Sequence, residues 1–213
     1  MRKYELTEET KTLADGTVLH RIRALRDIPC CGIKAGELGG WVESENNLSQ
    51  DSDAWVYGDA WVYGNAKVSG NACVSDNAWV YGDAKVYGNV WVSGNAEVFG
   101  TAEVSGDAKI YDNAKVYNNA KVCDNAVVCD NATVRGNAVV KTPYDYAVYK
   151  NTWSSGRWFT YTRSNKKWKV GCFYGTGKEL IAKAYKDSEL SGKCYEAIVR
   201  AVETIETAKA EAK

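Results

Sequence analysis

The chain has 213 residues, with 27 basic and 27 acidic side chains and a formal net charge of zero. That balance excludes a general polyanion binder but leaves room for a local basic patch. A single histidine excludes zinc sites that draw two or three histidines from one chain, and 45% hydrophobic residues suffice for a globular core.

An odd number of cysteines, seven, behind a polar segment from Met1 to Thr10 points to a reducing cytosol with unpaired thiols. No run approaches the roughly 20 apolar residues of a membrane span, so no membrane role is expected.

Residues 1–47 read as an N-terminal β-hairpin cap. Tyr4 to Thr10 and Thr17 to Asp27 are the strands, joined by a turn at Ala14-Asp15-Gly16. His20, Arg21, Arg23 and Arg26 lie on or beside the second strand and read as solvated edge charges.

Residues 48–141 are a repeat. From Val56 an aliphatic residue recurs every six positions through Val62, Val68 and Val74 to Val140, with Ile110 as one member. Two places earlier runs a small-residue series from Ala54 to Ala138, broken by Val90, and before each of these stands Asn or Asp, with Thr101 the exception. The unit is Gly-Asn-Ala-x-Val-x. Ala-x-Val is a short strand with alternate residues facing inward. Gly-Asn is a corner, because both residues tolerate positive φ. Three sides of six residues close one coil, which gives about five 18-residue coils in a prism roughly 24 Å tall. Its core of Val over Val and Ala over Ala has no room for a ligand, and the corner Asn and Asp residues are placed to bond from coil to coil.

Folding the repeat at period eighteen assigns the outward residues to faces. The first carries Trp61, Tyr63, Trp79, Tyr81, Glu97, Phe99, Lys115 and Tyr117, with Tyr63, Tyr81, Phe99 and Tyr117 in one row. The second carries Trp55, Tyr57, Cys73, Ser75, Trp91 and Ser93; the third, with Lys67, Lys85, Glu103 and Lys121, is polar. Outward aromatics in such number mark a contact surface, either between subunits or for an outside partner or ligand. The first face and the trio Trp55, Tyr57 and Trp91 are therefore the candidate binding residues.

Residues 142–213 form a C-terminal hairpin and two-helix domain that begins after Val140, with Pro143 at the break. Arg157 to Arg163 and Lys167 to Phe173 read as a hairpin with Phe159, Tyr161, Trp168, Val170 and Cys172 on one face. A helix opens at Thr176 with Glu179 as a capping box and presents Leu180, Ile181, Ala184 and Tyr185. A second runs from about Ser191 and presents Ala197, Ile198, Ala201, Val202 and Ile205, with a tail from Thr207 to Lys213. This part holds 13 basic and 8 acidic residues. Arg157, Arg163, Lys166, Lys167 and Lys169 beside Trp158 and Trp168 offer an alternative, single-stranded nucleic-acid binding; a solvated hairpin tip is the favoured reading. Gly175-Thr176-Gly177-Lys178 lacks phosphate-loop spacing. Cys30-Cys31, Cys172 and Cys194 lack a chelating pattern, and Cys73, Cys123 and Cys129 are placed outward as reduced thiols. No metal or cofactor site is expected.

The segment Val62-Tyr-Gly-Asn-Ala66 resembles the hexapeptide-repeat, left-handed β-helix family, which implies left-handed coils and commonly trimers. The lead-in Gly39-Gly40-Trp41-Val42-Glu43 with Asn47-Leu48-Ser49 is similar to bacterial and prophage proteins of this class labelled as transferases, and it places Val42 and Leu48 in the Ala series. Acyltransferases of the family use a coil histidine and seat coenzyme A between subunits. The coils here contain none, since the one histidine is His20. The resulting expectation is a mainly β, non-catalytic scaffold or binding protein. It is a homo-oligomer, dimer or trimer, in a bacterial cytoplasm, phage- or prophage-encoded, and captures a host protein or small ligand in an anti-defence type of role. An acyltransferase-like enzyme is the alternative.

Overall fold

The structure is a computed structural model that describes residues 2–211. It divides into two compact units, with the boundary along the chain between Tyr146 and Ala147.

The first unit opens with an antiparallel hairpin of β1 (Tyr4–Thr12) and β2 (Val18–Ala24), followed by β3 (Leu38–Val42). Fifteen strands of two or three residues, β4–β18, then run from Trp55–Val56 to Val139–Val140. They pair in parallel with strands eighteen residues away, such as Val62 with Val80 and Val92 with Ile110, and so build a three-faced β-solenoid. The hairpin extends one face directly: β2 is antiparallel to β3, and β3 is parallel to the strand carrying Trp61 and Val62. The open end of that face is thereby paired by its own chain.

The interior follows the repeat. Every member of the aliphatic series from Val56 to Val140 is at most 1% exposed, and so is the small series from Ala54 to Ala138. The corner ladders form as expected. Asn71 Nδ2 donates to Asn89 Oδ1 at 2.9 Å, Asn89 to Asp107 at 2.8 Å and Asn65 to Asp83 at 2.9 Å. Ser and Tyr carbonyls complete the corners, as where Ala72 N donates to Ser69 O.

The lead-in departs from the expectation. Val42 pairs with Val62 and Leu48 with Val68, a spacing of twenty residues. Val42 and Leu48 thus occupy the Val rows, not the Ala series, and the two additional residues fall in the corner between Leu48 and Val56. The solenoid consequently gains a coil and has about six turns. Gly39 and Gly40 sit where this coil is tightest: a Cβ on Gly39 would lie 2.5 Å from Val56 O and from Ile22 Cγ1, and one on Gly40 2.7 Å from Ala60 O.

Corner glycines stack with equal economy. Gly88 has φ +87°, and a Cβ there would lie 2.7 Å from Gly106 O. Both the left-handed backbone and the contact oppose a side chain, so Gly88→Ala is expected to lower stability by about 2 kcal/mol or more in urea unfolding. A change under about 0.5 kcal/mol would show that the corner yields freely.

The second unit is built on a four-stranded sheet in the order β19 (Tyr146–Lys150, whose first residue is the last of the first unit), β20 (Trp158–Thr162), β21 (Lys167–Val170) and β22 (Phe173–Gly175), the last three antiparallel to one another in turn, followed by α1 (Gly177–Asp187) and α2 (Glu189–Glu211). The hairpin of β20 and β21 has the expected register, Phe159 opposite Val170 and Tyr161 opposite Trp168. These four side chains are buried with Leu180, Ala184, Tyr195, Val199 and Val202. Cys172, expected on the same face, is exposed, because strand pairing ends at Val170 before the chain turns into β22. The Thr176 and Glu179 capping box is present at α1. On α2 the buried stripe is Tyr195, Val199 and Val202; of the expected members only Val202 is buried, while Ile205 is 45% exposed. Residues 212 and 213 of the expected tail lie outside the described residues. Among the described residues, no helix is long and apolar enough to cross a membrane.

Candidate functional site

The solenoid register sets the outward aromatics of the first face into two ladders. Tyr63 stacks on Tyr81 at 5.1 Å, Tyr81 on Phe99 at 4.8 Å and Phe99 on Tyr117 at 4.6 Å, all within 5° of parallel. Arg135 caps the row, its guanidinium 5.0 Å from the Tyr117 ring. The adjacent row begins with Trp61 on Trp79 at 4.8 Å and 4°. It continues into Glu97 and Lys115, which are joined by an ion pair of 2.5 Å. Parallel in-register pairing forces this stacking, since identical positions recur every coil at the inter-strand spacing.

One further ring belongs to the tryptophan row. Trp41 pairs with Trp61 but is only 5% exposed, because the hairpin folds over it. Lys11 of β1 places Nζ 4.4 Å from the Trp41 ring and 5.2 Å from the Trp61 ring, and Arg21 packs 5.5 Å from Trp41. A strict period of eighteen conceals Trp41; a two-residue insertion before Val56 reveals it.

The hairpin tip roofs the N-terminal end of this face. Lys11, Thr12, Leu13, Ala14 and Asp15 together with Trp61, Tyr63 and Trp79 enclose an open cleft of about 560 Å³, a size suited to a small molecule. Trp61 and Tyr63 are half-buried and Trp79 is 36% exposed. Burial, and then the Asp15 and Glu97 carboxylates, push the Tyr63 phenol up. The Asp15 carboxyl is held below its usual range by hydrogen bonds from Thr17.

The second face is different. Trp55, Cys73, Trp91 and Lys109 follow one another along the register, so the two tryptophans are separated by a cysteine and do not stack. Trp55, expected outward, is fully buried: the N-terminal cap covers it, with Tyr4 in an edge contact at 6.2 Å. Tyr57 is half-buried and Trp91 is 48% exposed. Cys73, expected as an exposed thiol, is 2% exposed and forms a disulfide with Cys31 of the cap. The Cys30 sulfur is 3.5 Å from that of Cys31. Cys30, Cys123, Cys129, Cys172 and Cys194 are free.

In the second unit the basic residues are scattered among local partners. Arg163 donates to Glu206 of α2 at 2.5 Å, and Lys166 takes φ +52° in the hairpin turn. Lys169 bonds Gly171 O, and the Arg157 side chain packs beside Gly171. Lys167 is half-buried, Trp168 is 1% exposed in the core, and Lys150 lies over the Trp158 ring at 5.4 Å. His20 pairs through its backbone with Val42, and its imidazole has no hydrogen-bond partner among the described residues.

The fold and repeat define a β-solenoid that resembles the hexapeptide-repeat proteins. A family model described as the YdcK beta solenoid repeat matches residues 66–82, the stretch that carries Trp79 and Tyr81. The chain is also similar to the Escherichia coli (strain K12) protein named "Uncharacterized acetyltransferase YdcK", 38% identical over 64 residues. That match covers 27% of this chain and 19% of the relative, so the chain spans about a fifth of the relative's length.

Proposed function

We infer that the chain is a non-catalytic solenoid binding protein that captures a host protein or small ligand on its first aromatic face. The observation that carries this reading is the cleft at the N-terminal end of that face, where half-exposed Trp61, Tyr63 and Trp79 meet the hairpin tip. Exposed indole and phenol rings held rigid by stacking lose little entropy on contact. The reading extends to a homo-oligomer, dimer or trimer, from the family resemblance and the outward aromatics, and to a phage- or prophage-encoded protein of anti-defence type in a bacterial host, from the resemblance of the lead-in; the cytoplasmic expectation rests on unpaired thiols, which the Cys31–Cys73 bridge does not support. The C-terminal domain is the other candidate surface.

The test is capture from bacterial lysate, with mass spectrometry of bound proteins and small molecules. The wild type is expected to retain a species that Trp79→Ala with Tyr81→Ala loses and that Trp91→Ala on the second face keeps. Equal capture by all three would overturn the assignment to this face.

The relative's name favours a second reading, an acyltransferase. A general base within reach of an acceptor is needed, and the coils contain no histidine. Calorimetry with acetyl-coenzyme A is expected to give no heat of binding; saturable binding followed by acetyl transfer would replace the first reading with the second.

A further inference from the structure

The cleft also has a charge pattern and a ring geometry, and together they narrow its ligand. The stacked rings lie nearly parallel to one another, so most of the exposed surface is ring edges in rows. At Trp61 both faces are occupied, one by Trp79 at 4.8 Å and the other by Lys11 at 5.2 Å. A sugar ring or a single base therefore finds no open face at Trp61. What fits is a flat, elongated molecule laid lengthwise against the rows, in contact with several rungs at once.

The rim is acidic. Lys11 pairs with Asp59 at 3.8 Å and Lys115 with Glu97 at 2.5 Å, and Arg135 lies at the far end of the phenol ladder, over Tyr117. Asp15 at the hairpin tip and Glu43 on the rung above Tyr63 have no ion-pair partner among the described residues. Asp15 accepts from Thr17 N at 3.0 Å and Glu43 from Gly64 N at 2.7 Å, so both carboxylates are fixed in place by backbone donors. Asp15 lines the cleft beside the ion-paired Lys11, and Glu43 lies one rung above Tyr63, so an anion would approach two carboxylates without ion-pair partners, whereas a cation would neutralise them.

We propose that the Trp61, Tyr63 and Trp79 cleft is a binding site for an extended planar aromatic cation, laid along the ladders with its charge toward Asp15 and Glu43. The proposal rests on the first face being the binding surface and adds the ligand class. No covalent step is involved.

The probe is thioflavin T, a planar benzothiazolium cation, compared with its uncharged benzothiazole analogue by fluorescence and calorimetry at low salt. The cation is expected to bind at one site per chain, about fivefold or more tighter than the neutral analogue, with the difference shrinking in high salt. Asp15→Asn with Glu43→Gln keeps both backbone hydrogen bonds and is expected to bring the two affinities within about twofold. Trp79→Ala, checked for intact folding by circular dichroism, is expected to weaken both dyes. Equal affinity of cation and neutral analogue overturns the charge assignment, and unchanged binding by Trp79→Ala overturns the site. Absence of dye binding, while Trp79→Ala with Tyr81→Ala still loses lysate capture, overturns this proposal and leaves the binding-face reading standing. Loss of both results overturns the two together.

Discussion

Reduction of the Cys31–Cys73 bridge is expected to lower the stability of the first unit by about 4 kcal/mol. The bridge joins residues 42 apart in sequence and ties the cap loop, at the last residue of the 3-10 turn Pro29–Cys31, to Cys73 on the second face. Cross-linking a loop of this length removes that much chain entropy from the unfolded ensemble in the loop-closure account. The bridge also holds the cap beside buried Trp55, so its loss acts where the solenoid end is shielded. Urea unfolding followed by tryptophan fluorescence, with and without a phosphine reductant, measures the difference. Cys31→Ser should reproduce the reduced curve in either condition, and Cys30→Ser should leave the oxidised curve in place. Peptide mapping without reductant should yield a Cys31–Cys73 cross-linked pair. Coincident curves with and without reductant, together with uncross-linked peptides, would sink the expectation.

That bridge also marks where sequence reasoning stopped. The repeat was legible because Val and Ala recur at a fixed period and their burial is dictated locally by strand alternation. The aromatic ladders followed from the same arithmetic, and so did the Asn and Asp corner bonds. What escaped depended on the cap. Two additional residues between Leu48 and Val56 shift the first coil out of register, which moved Val42 and Leu48 into the wrong row and hid Trp41 from the tryptophan ladder. The same cap buries Trp55 and reaches Cys73. Neither has a signature in the repeat, since each position reads as outward. In the second unit, helix α2 was foreseen but its buried stripe was displaced, because Ala and Ile recur on neighbouring lines of the helix and only packing against the sheet selects Tyr195 and Val199. The cleft depends on both kinds of information. Its floor of rings was readable, and its roof at Lys11 to Asp15 required the hairpin to be placed.

The cap also holds a buried amine, and its titration yields the second large effect. Lys3 is fully buried, and its Nζ donates to Ala54 O at 2.6 Å. Burial is the main cause that lowers its pKa from 10.5 to about 8, with the Arg26 guanidinium next; Asp53, Cys30 and Asp51 act in the opposite direction. Arg26 is itself held by Asp53 at 2.8 Å, so the ammonium gains little from that carboxylate. Between about pH 8 and 10.5 the unfolded chain keeps a proton on Lys3 that the folded chain has released. Unfolding then takes up a proton, and stability rises with pH across this window, by about 3 kcal/mol in full. Below pH 8 both states carry the charge and the gain is absent. The Cys30 thiol and the Tyr4 and Tyr81 phenols, all raised chiefly by burial, act in the other direction as pH climbs past their ordinary values. Lys3→Met separates the contributions, since those groups remain. The stability difference, wild type minus variant, is expected to climb by about 3 kcal/mol as pH rises from 7 toward 10.5, most steeply above pH 8. A difference that stays flat across that range would show that the ammonium is as well solvated in the fold as in the unfolded chain.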